Sequence, residues 1–114
     1  MQGQLTIINL NGCDKILVRD KVTLARYGQE LCKIINMNPQ GNPIVKRYGK
    51  GKLRGYTLVQ LIETSSIVVH LDEHENKVFI DIFSCKNFDP LKVKDFSKGY
   101  FKAKKSELKT IMRK

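Results

Sequence analysis

The run VFIDIFSC at positions 78–85 constrains the fold more than any other stretch of the chain. Phe79, Asp81 and Phe83 alternate with Val78, Ile80 and Ile82, the period of two that puts successive side chains on opposite faces of a strand. The preceding stretch, Ser66 to Leu71, is also rich in β-branched residues, and the polar turn DEHEN at 72–76 joins the two. A chain that commits its middle to such a hairpin must cover at least one apolar face with something else.

The flanking segments supply that cover. QLTIINL at 4–10 has the content of a strand and ends at the turn signal Asn11-Gly12. Asp20 suits the N-cap of a helix running to about Asn36, with Val22, Leu24, Ala25, Leu31, Ile34 and Ile35 as its apolar positions. Asn38 to Pro43 breaks the chain, and Ile44 to Tyr48 reads as a strand. Gly49 to Lys52 reads as a flexible loop, and Gly55 to about Ile62 as a longer strand. Asp89-Pro90 opens a second helix to about Lys98, with proline at its first position. Tyr100 to Lys104 is expected to form a last strand. The order β-α-β-β-β-β-α-β predicts an α+β two-layer sandwich, an antiparallel sheet with helices packed on one face.

Its 114 residues make one domain, 1–114, large enough for a single covered sheet and too small for a second unit. No apolar run nears the ~20 residues of a membrane span, and the start lacks a signal-peptide pattern. Three cysteines, Cys13, Cys32 and Cys85, form no CxxC pair, so neither a disulfide framework nor a zinc site is expected. A cytoplasmic protein with reduced thiols and no membrane partner is the expectation.

The net charge of +10 comes from sixteen lysines and five arginines, concentrated at Lys46–Arg54 and Lys98–Lys114. Arginine is the residue that nucleic-acid surfaces draw on for bidentate and stacking contacts. No recognition helix, aromatic stacking pattern or finger spacing accompanies the charge, which therefore reads as a solvated lysine-rich surface.

Several familiar sites can be set aside. GKGKLRGY lacks phosphate-loop spacing, and His70 and His74 lie where a metal-binding helix is not expected. What remains is Thr64-Ser65-Ser66 at a strand boundary, His70 five residues after Ser65, and Cys85 at the end of the hairpin. Taken singly, His70 reads as a histidine at a strand end, Cys85 as a structural thiol and Thr57 as an ordinary strand residue.

Taken together, these residues carry a resemblance. IETSSIVVHLDEHENKVFIDIFSCKNFDP at 62–90 resembles the signature region of the prokaryotic S-adenosylmethionine decarboxylases, small pyruvoyl-dependent enzymes of polyamine synthesis. The fifteen-residue spacing from His70 to Cys85 matches without a gap, as do Asp81, Phe83 and Asp89-Pro90. The opening strand and its Gly12-Cys13-Asp14 turn are also similar.

The resemblance implies self-cleavage between Thr64 and Ser65 into 1–64 (the β chain) and 65–114 (the α chain). Ser65 would attack the preceding carbonyl, and β-elimination would turn it into a pyruvoyl group. That group, in place of PLP or a metal, would take the substrate amine as a Schiff base and act as electron sink for loss of carbon dioxide. A strained turn between two strands would favour the attack. By the same resemblance His70 is the processing proton acceptor, Cys85 the proton donor to the product, and Thr57 a hydroxyl supporting the processing intermediate. A homodimer with its sites near the interface is implied as well.

Positions beside the cleavage site and in nucleoside binding depart from the family pattern. Thr64 stands for a glutamate and Ser66 for a histidine. His74 stands for the ribose-binding glutamate, with Glu73 and Glu75 beside it, and Gly51 for an adenine-stacking phenylalanine, with Tyr48 and Tyr56 near. The resemblance therefore implies S-adenosylmethionine as substrate, bound by Glu73, His74, Glu75 and Tyr56. One alternative is a pyruvoyl decarboxylase of arginine or ornithine, with Asp72, Glu73 and Glu75 pairing the distal cation. The other is a fold relative that no longer processes and binds nucleic acid through its basic segments.

Overall fold

A computed structural model describes residues 2–114. Six strands and two helices follow one another as β1 (Gly3–Asn11), α1 (Lys21–Ile34), β2 (Ile44–Tyr48), β3 (Gly55–Ile62), β4 (Ser65–Asp72), β5 (Lys77–Ser84), α2 (Pro90–Tyr100) and β6 (Lys105–Arg113). Single 3-10 turns occupy Leu17–Arg19 and Gly51–Leu53, the second overlapping the segment Gly49 to Lys52 expected to be a flexible loop. The strands form one antiparallel sheet in the order β2-β3-β4-β5-β1-β6. The α+β sandwich expected from the sequence is the fold observed.

Alternation decides which face is covered. Ile8, Leu10, Leu58, Ile67, Val69, Ile80 and Ile82 are fully buried beneath the helices. Their neighbours Val59, Val68, Phe79 and Asp81 point to the other face and are half-buried or exposed. That second face carries no helix, leaving Leu61 and Phe79 among the exposed large apolar residues.

Both helices start where the sequence places them. The Asp20 carboxylate accepts from the Val22 N–H, and Asp89 accepts from the Leu91 N–H ahead of Pro90. The buried stripe of α1 is Leu24, Tyr27, Gly28, Leu31 and Cys32; of the expected positions Leu24 and Leu31 are in it, Ile35 is buried just past it, Ala25 and Ile34 are half-buried, and Val22 is exposed in the first turn. Gly28 is on this stripe because α1 meets β3 there. A Cβ at Gly28 would come within 2.9 Å of Leu58 Cδ1, so a larger residue would force the buried Leu58 side chain to move.

The last strand differs from expectation. Tyr100 ends α2 instead of starting a strand, and Phe101 is buried. The two rings join Tyr27 and Phe96 in an aromatic cluster with centroids 4.9–5.8 Å apart. Burying these rings under the helices outweighs the strand propensity of a short Tyr-Phe stretch. The strand forms instead at Lys105–Arg113, paired with β1.

This arrangement also explains the basic segments. β2 and β6 are the two edges of the sheet, about 24 Å apart at ~4.8 Å per strand. Lysines on an exposed edge discourage pairing with another chain. The two basic segments therefore lie on opposite edges and do not merge into one groove.

Candidate active site

β4 connects the two places where chemistry-bearing residues gather. At its start, Ile62 pairs with Ser65 across a two-residue turn, Glu63-Thr64. Thr64 has φ +57°, a left-handed conformation that a β-branched residue rarely adopts. Such a backbone stores ~1–3 kcal/mol that the surrounding structure must hold in place. The strained residue is the one whose carbonyl precedes Ser65.

That carbonyl has a partner. The Cys85 thiol donates to Thr64 O at 3.2 Å. Ser65 itself is buried and its hydroxyl donates to Ser84 Oγ at 3.4 Å. Residues 84 and 85 thus hold both sides of the Thr64–Ser65 bond. The other two thiols are both buried, and desolvation pushes Cys13 up to about 11 and raises Cys32 as well.

The second gathering lies five residues further along the same strand. His70 pairs with Thr57 of β3, and Thr57 Oγ1 is 2.9 Å from His70 Nδ1. The Thr57 hydroxyl fixes the ring orientation and leaves Nε2 facing outward. A cleft of about 330 Å³ opens beside them, lined by Tyr48, Leu53, Tyr56, Phe79, Lys52, Arg54 and Asp72 among others.

The two gatherings do not meet within one chain. Five residues of strand span ~17 Å, and an odd separation turns the two side chains to opposite faces. Ser65 lies with the covered residues Ile67, Val69 and Leu71, and His70 with Ser66 and Val68.

The acidic cluster of the β4–β5 turn is engaged by the chain's own groups. Glu73 is largely buried and takes both nitrogens of a fork from Arg47, Nε at 2.8 Å and Nη2 at 2.5 Å. That hydrogen bond, with the Arg47 charge, lowers the Glu73 pKa, and with the Glu73 charge it raises that of Arg47. Arg19 donates to Glu73 O and to Asn76 Oδ1, tying the turn to the first 3-10 turn. Asp72 accepts from the backbone N–H groups of His74 and Glu75, and Glu75 pairs with Lys77 at 2.9 Å, which lowers its pKa. His74 is exposed at the tip. Tyr56 lines the cleft, with the Arg47 guanidinium 5.7 Å from its ring centroid.

Sequence reasoning missed Ser84 and the Arg47–Glu73 pair. Ser84 had a signal, since it directly precedes Cys85 at a covered position of an alternating strand. The pairing of Arg47 with Glu73 joins residues twenty-six apart and depends on tertiary placement.

Comparison with known proteins gives this geometry its family. The family described as S-adenosylmethionine decarboxylase matches residues 4–114. The chain belongs to the S-adenosylmethionine decarboxylase family. An S-adenosylmethionine decarboxylase proenzyme of Clostridium botulinum strain Hall is 30% identical over 112 residues, covering 97% of this chain and 93% of that protein. The proenzyme of strain Loch Maree aligns with the same identity and coverage. The crystal structure of the adenosylmethionine decarboxylase from Aquifex aeolicus vf5 shares the fold, with a TM-score of 0.78 and 16% identity. It covers 97% of this chain and 89% of that one. Among the described residues, no cluster of three or more His, Cys, Asp or Glu is placed to hold a metal ion, and no helix is long and apolar enough to cross a membrane.

Proposed function

We propose that this chain is a proenzyme that cuts itself between Thr64 and Ser65 and then decarboxylates S-adenosylmethionine in the cytoplasm, supplying the aminopropyl donor for polyamine synthesis. The observation that carries the reading is the grip on one peptide unit: strained Thr64, its carbonyl bound by Cys85, and Ser65 buried beside Ser84. A thiol donor on that carbonyl favours charge developing on its oxygen as Ser65 attacks. These residues fit the precursor of a pyruvoyl group, because the nucleophile, the strained bond and the carbonyl's donor are all adjacent. Once formed, the pyruvoyl carbonyl supplies the electron sink for decarboxylation.

The chain's own residues divide the remaining work. His70, oriented by Thr57, takes the Cα proton of residue 65 during elimination. Cys85, beside the new terminus, delivers a proton to the product carbon. Because His70 and Ser65 of one chain are ~17 Å apart along β4, the base that reaches the Cα proton of each residue 65 comes from a second copy. A two-fold axis near Val68, with the uncovered faces packed together, would set the Ser65 end of one β4 against the His70 end of the other. Such an isologous homodimer also buries exposed Leu61 and Phe79.

The cleft beside His70 favours S-adenosylmethionine over arginine or ornithine. Its Tyr48, Tyr56 and Phe79 suit the flat base of a nucleoside, whereas Glu73 and Glu75, which would hold a distal cation, are already paired with Arg47 and Lys77. Of the residues expected to bind substrate, Tyr56 lines this cleft, His74 and Glu75 stand at the nearby turn, and Glu73 braces that turn.

Intact-mass measurement of purified protein tests the proposal. Two fragments, of ~7 and ~6 kDa for a cut at this position of a single domain, are expected, the smaller carrying a blocked N-terminus. A single unmodified chain after long incubation would overturn it. Carbon dioxide release assayed with S-adenosylmethionine, arginine and ornithine in parallel then decides the substrate.

A further inference from the structure

Ser84 makes more contacts than a core serine needs. Its side chain is almost completely buried on the helix-covered face, next to Cys85. Its oxygen accepts from the Lys86 N–H at 2.9 Å and its proton reaches the Lys86 carbonyl at 2.8 Å. Met37 Sδ, at 3.6 Å, is a weaker alternative acceptor. A serine hydroxyl has one proton and two lone pairs. With the proton committed to Lys86 O, one lone pair remains for the Ser65 hydroxyl, which donates to it at 3.4 Å. Lys86 thus fixes the rotor of Ser84, and Ser84 in turn fixes the rotor of Ser65.

We propose that Ser84 is a positioning residue for self-cleavage: it draws the Ser65 hydroxyl proton to one side, so that a lone pair of the nucleophile is free to attack the Thr64 carbonyl held by Cys85. This inference rests on the self-cleavage reading above. In the step it serves, the Ser65 Oγ–Thr64 C bond forms and the Thr64 C–Ser65 N bond breaks. The hydroxyl proton ends on the freed nitrogen, so atoms and charge balance without a co-reactant. Ser84 supplies orientation and keeps its own proton. Hydrogen bonds of this kind are often long before the reaction and tighten as it proceeds.

The test isolates the first step. In full-length His70→Ala protein the ester formed by Ser65 should accumulate, and hydroxylamine cuts the chain at that ester, giving its amount by intact mass. Adding Ser84→Ala should slow ester formation ~10-fold, the scale of one oriented hydrogen bond. Adding Ser84→Thr, which keeps the hydroxyl, should bring it to within ~3-fold of the parent. Melting curves of both double variants accompany the rates. Ester formation at the parent rate in Ser84→Ala overturns the inference. So does equal slowing by Ala and Thr with equal loss of melting temperature, which marks a packing role alone. If the protein with native residues never cleaves and no ester forms, the self-cleavage reading falls first and takes this inference with it. If it cleaves and Ser84→Ala keeps pace, this inference alone falls.

Discussion

At its Ser65 end β4 is buried, and the turn before it is strained and gripped: Thr64 at φ +57°, its carbonyl on Cys85, Ser65 on Ser84. Towards its other end His70 is exposed, and among the described residues its only side-chain partner is Thr57, beside an open cleft. One end prepares a bond in its own backbone; the other presents an oriented base to whatever lies against the sheet. Under the proposed self-cleavage the difference divides the machinery into two halves. Joining them would then take two chains, meeting on the helix-free face of the sheet.

Removing the nucleophile breaks the first half completely. Ser65→Ala should remain a single uncut chain, which intact mass reads directly; fragments in this variant would place the scissile bond elsewhere. Breaking the second half should be graded. His70→Ala should slow chain cleavage by ~10²–10⁴-fold, the range of a missing general base, while a hydroxylamine-sensitive ester builds up. Normal processing would show that another group takes the Cα proton.

Cys85 stands between these cases. In the proposed scheme its contact with the Thr64 carbonyl adds a role before cleavage to the one after it. Cys85→Ala should slow processing by ~10–100-fold. The cut enzyme should then misplace the product proton and consume its pyruvoyl group, visible as a mass change in the 65–114 fragment during turnover. Full activity with an unchanged fragment would reduce Cys85 to a core thiol.

The smallest effect belongs to the turn that shapes the cleft. Arg47 holds the Glu73 carboxyl below its ordinary value, so the pair stabilises the fold above the usual glutamate pKa and is lost as pH falls through the lowered one. Glu73→Gln should lower the melting temperature by about 2–4 °C at pH 7. The gap should narrow below about pH 4. A gap that is constant with pH would mean the charge of Glu73 contributes nothing.

The β4–β5 hairpin was legible because its alternation is regular, and both helices because Asp20 and Asp89-Pro90 are strong start signals. Tyr100 and Phe101 misled because aromatic residues suit strands, while their packing on Tyr27 depends on contacts 73 and 74 residues apart. The true last strand, KSELKTIMR, is an exposed edge and shows little apolar patterning. In the site, Ser65, His70 and Cys85 were readable as a spaced set. The division into halves was present as well: an odd separation along a strand puts two side chains on opposite faces. The closure of Arg47 on Glu73 had no such trace, since salt bridges between distant segments leave no local pattern.

The central claim, that each Ser65 is served by the other chain's His70, is tested most directly by mixing two inactive chains. Ser65→Ala keeps a working His70, and His70→Ala keeps a working Ser65. Unfolded together and refolded as mixed dimers, they should restore rapid cleavage of the His70→Ala chain alone, with the Ser65→Ala chain left whole by intact mass. Cleavage that stays as slow in the mixture as in His70→Ala refolded by itself would contradict the account.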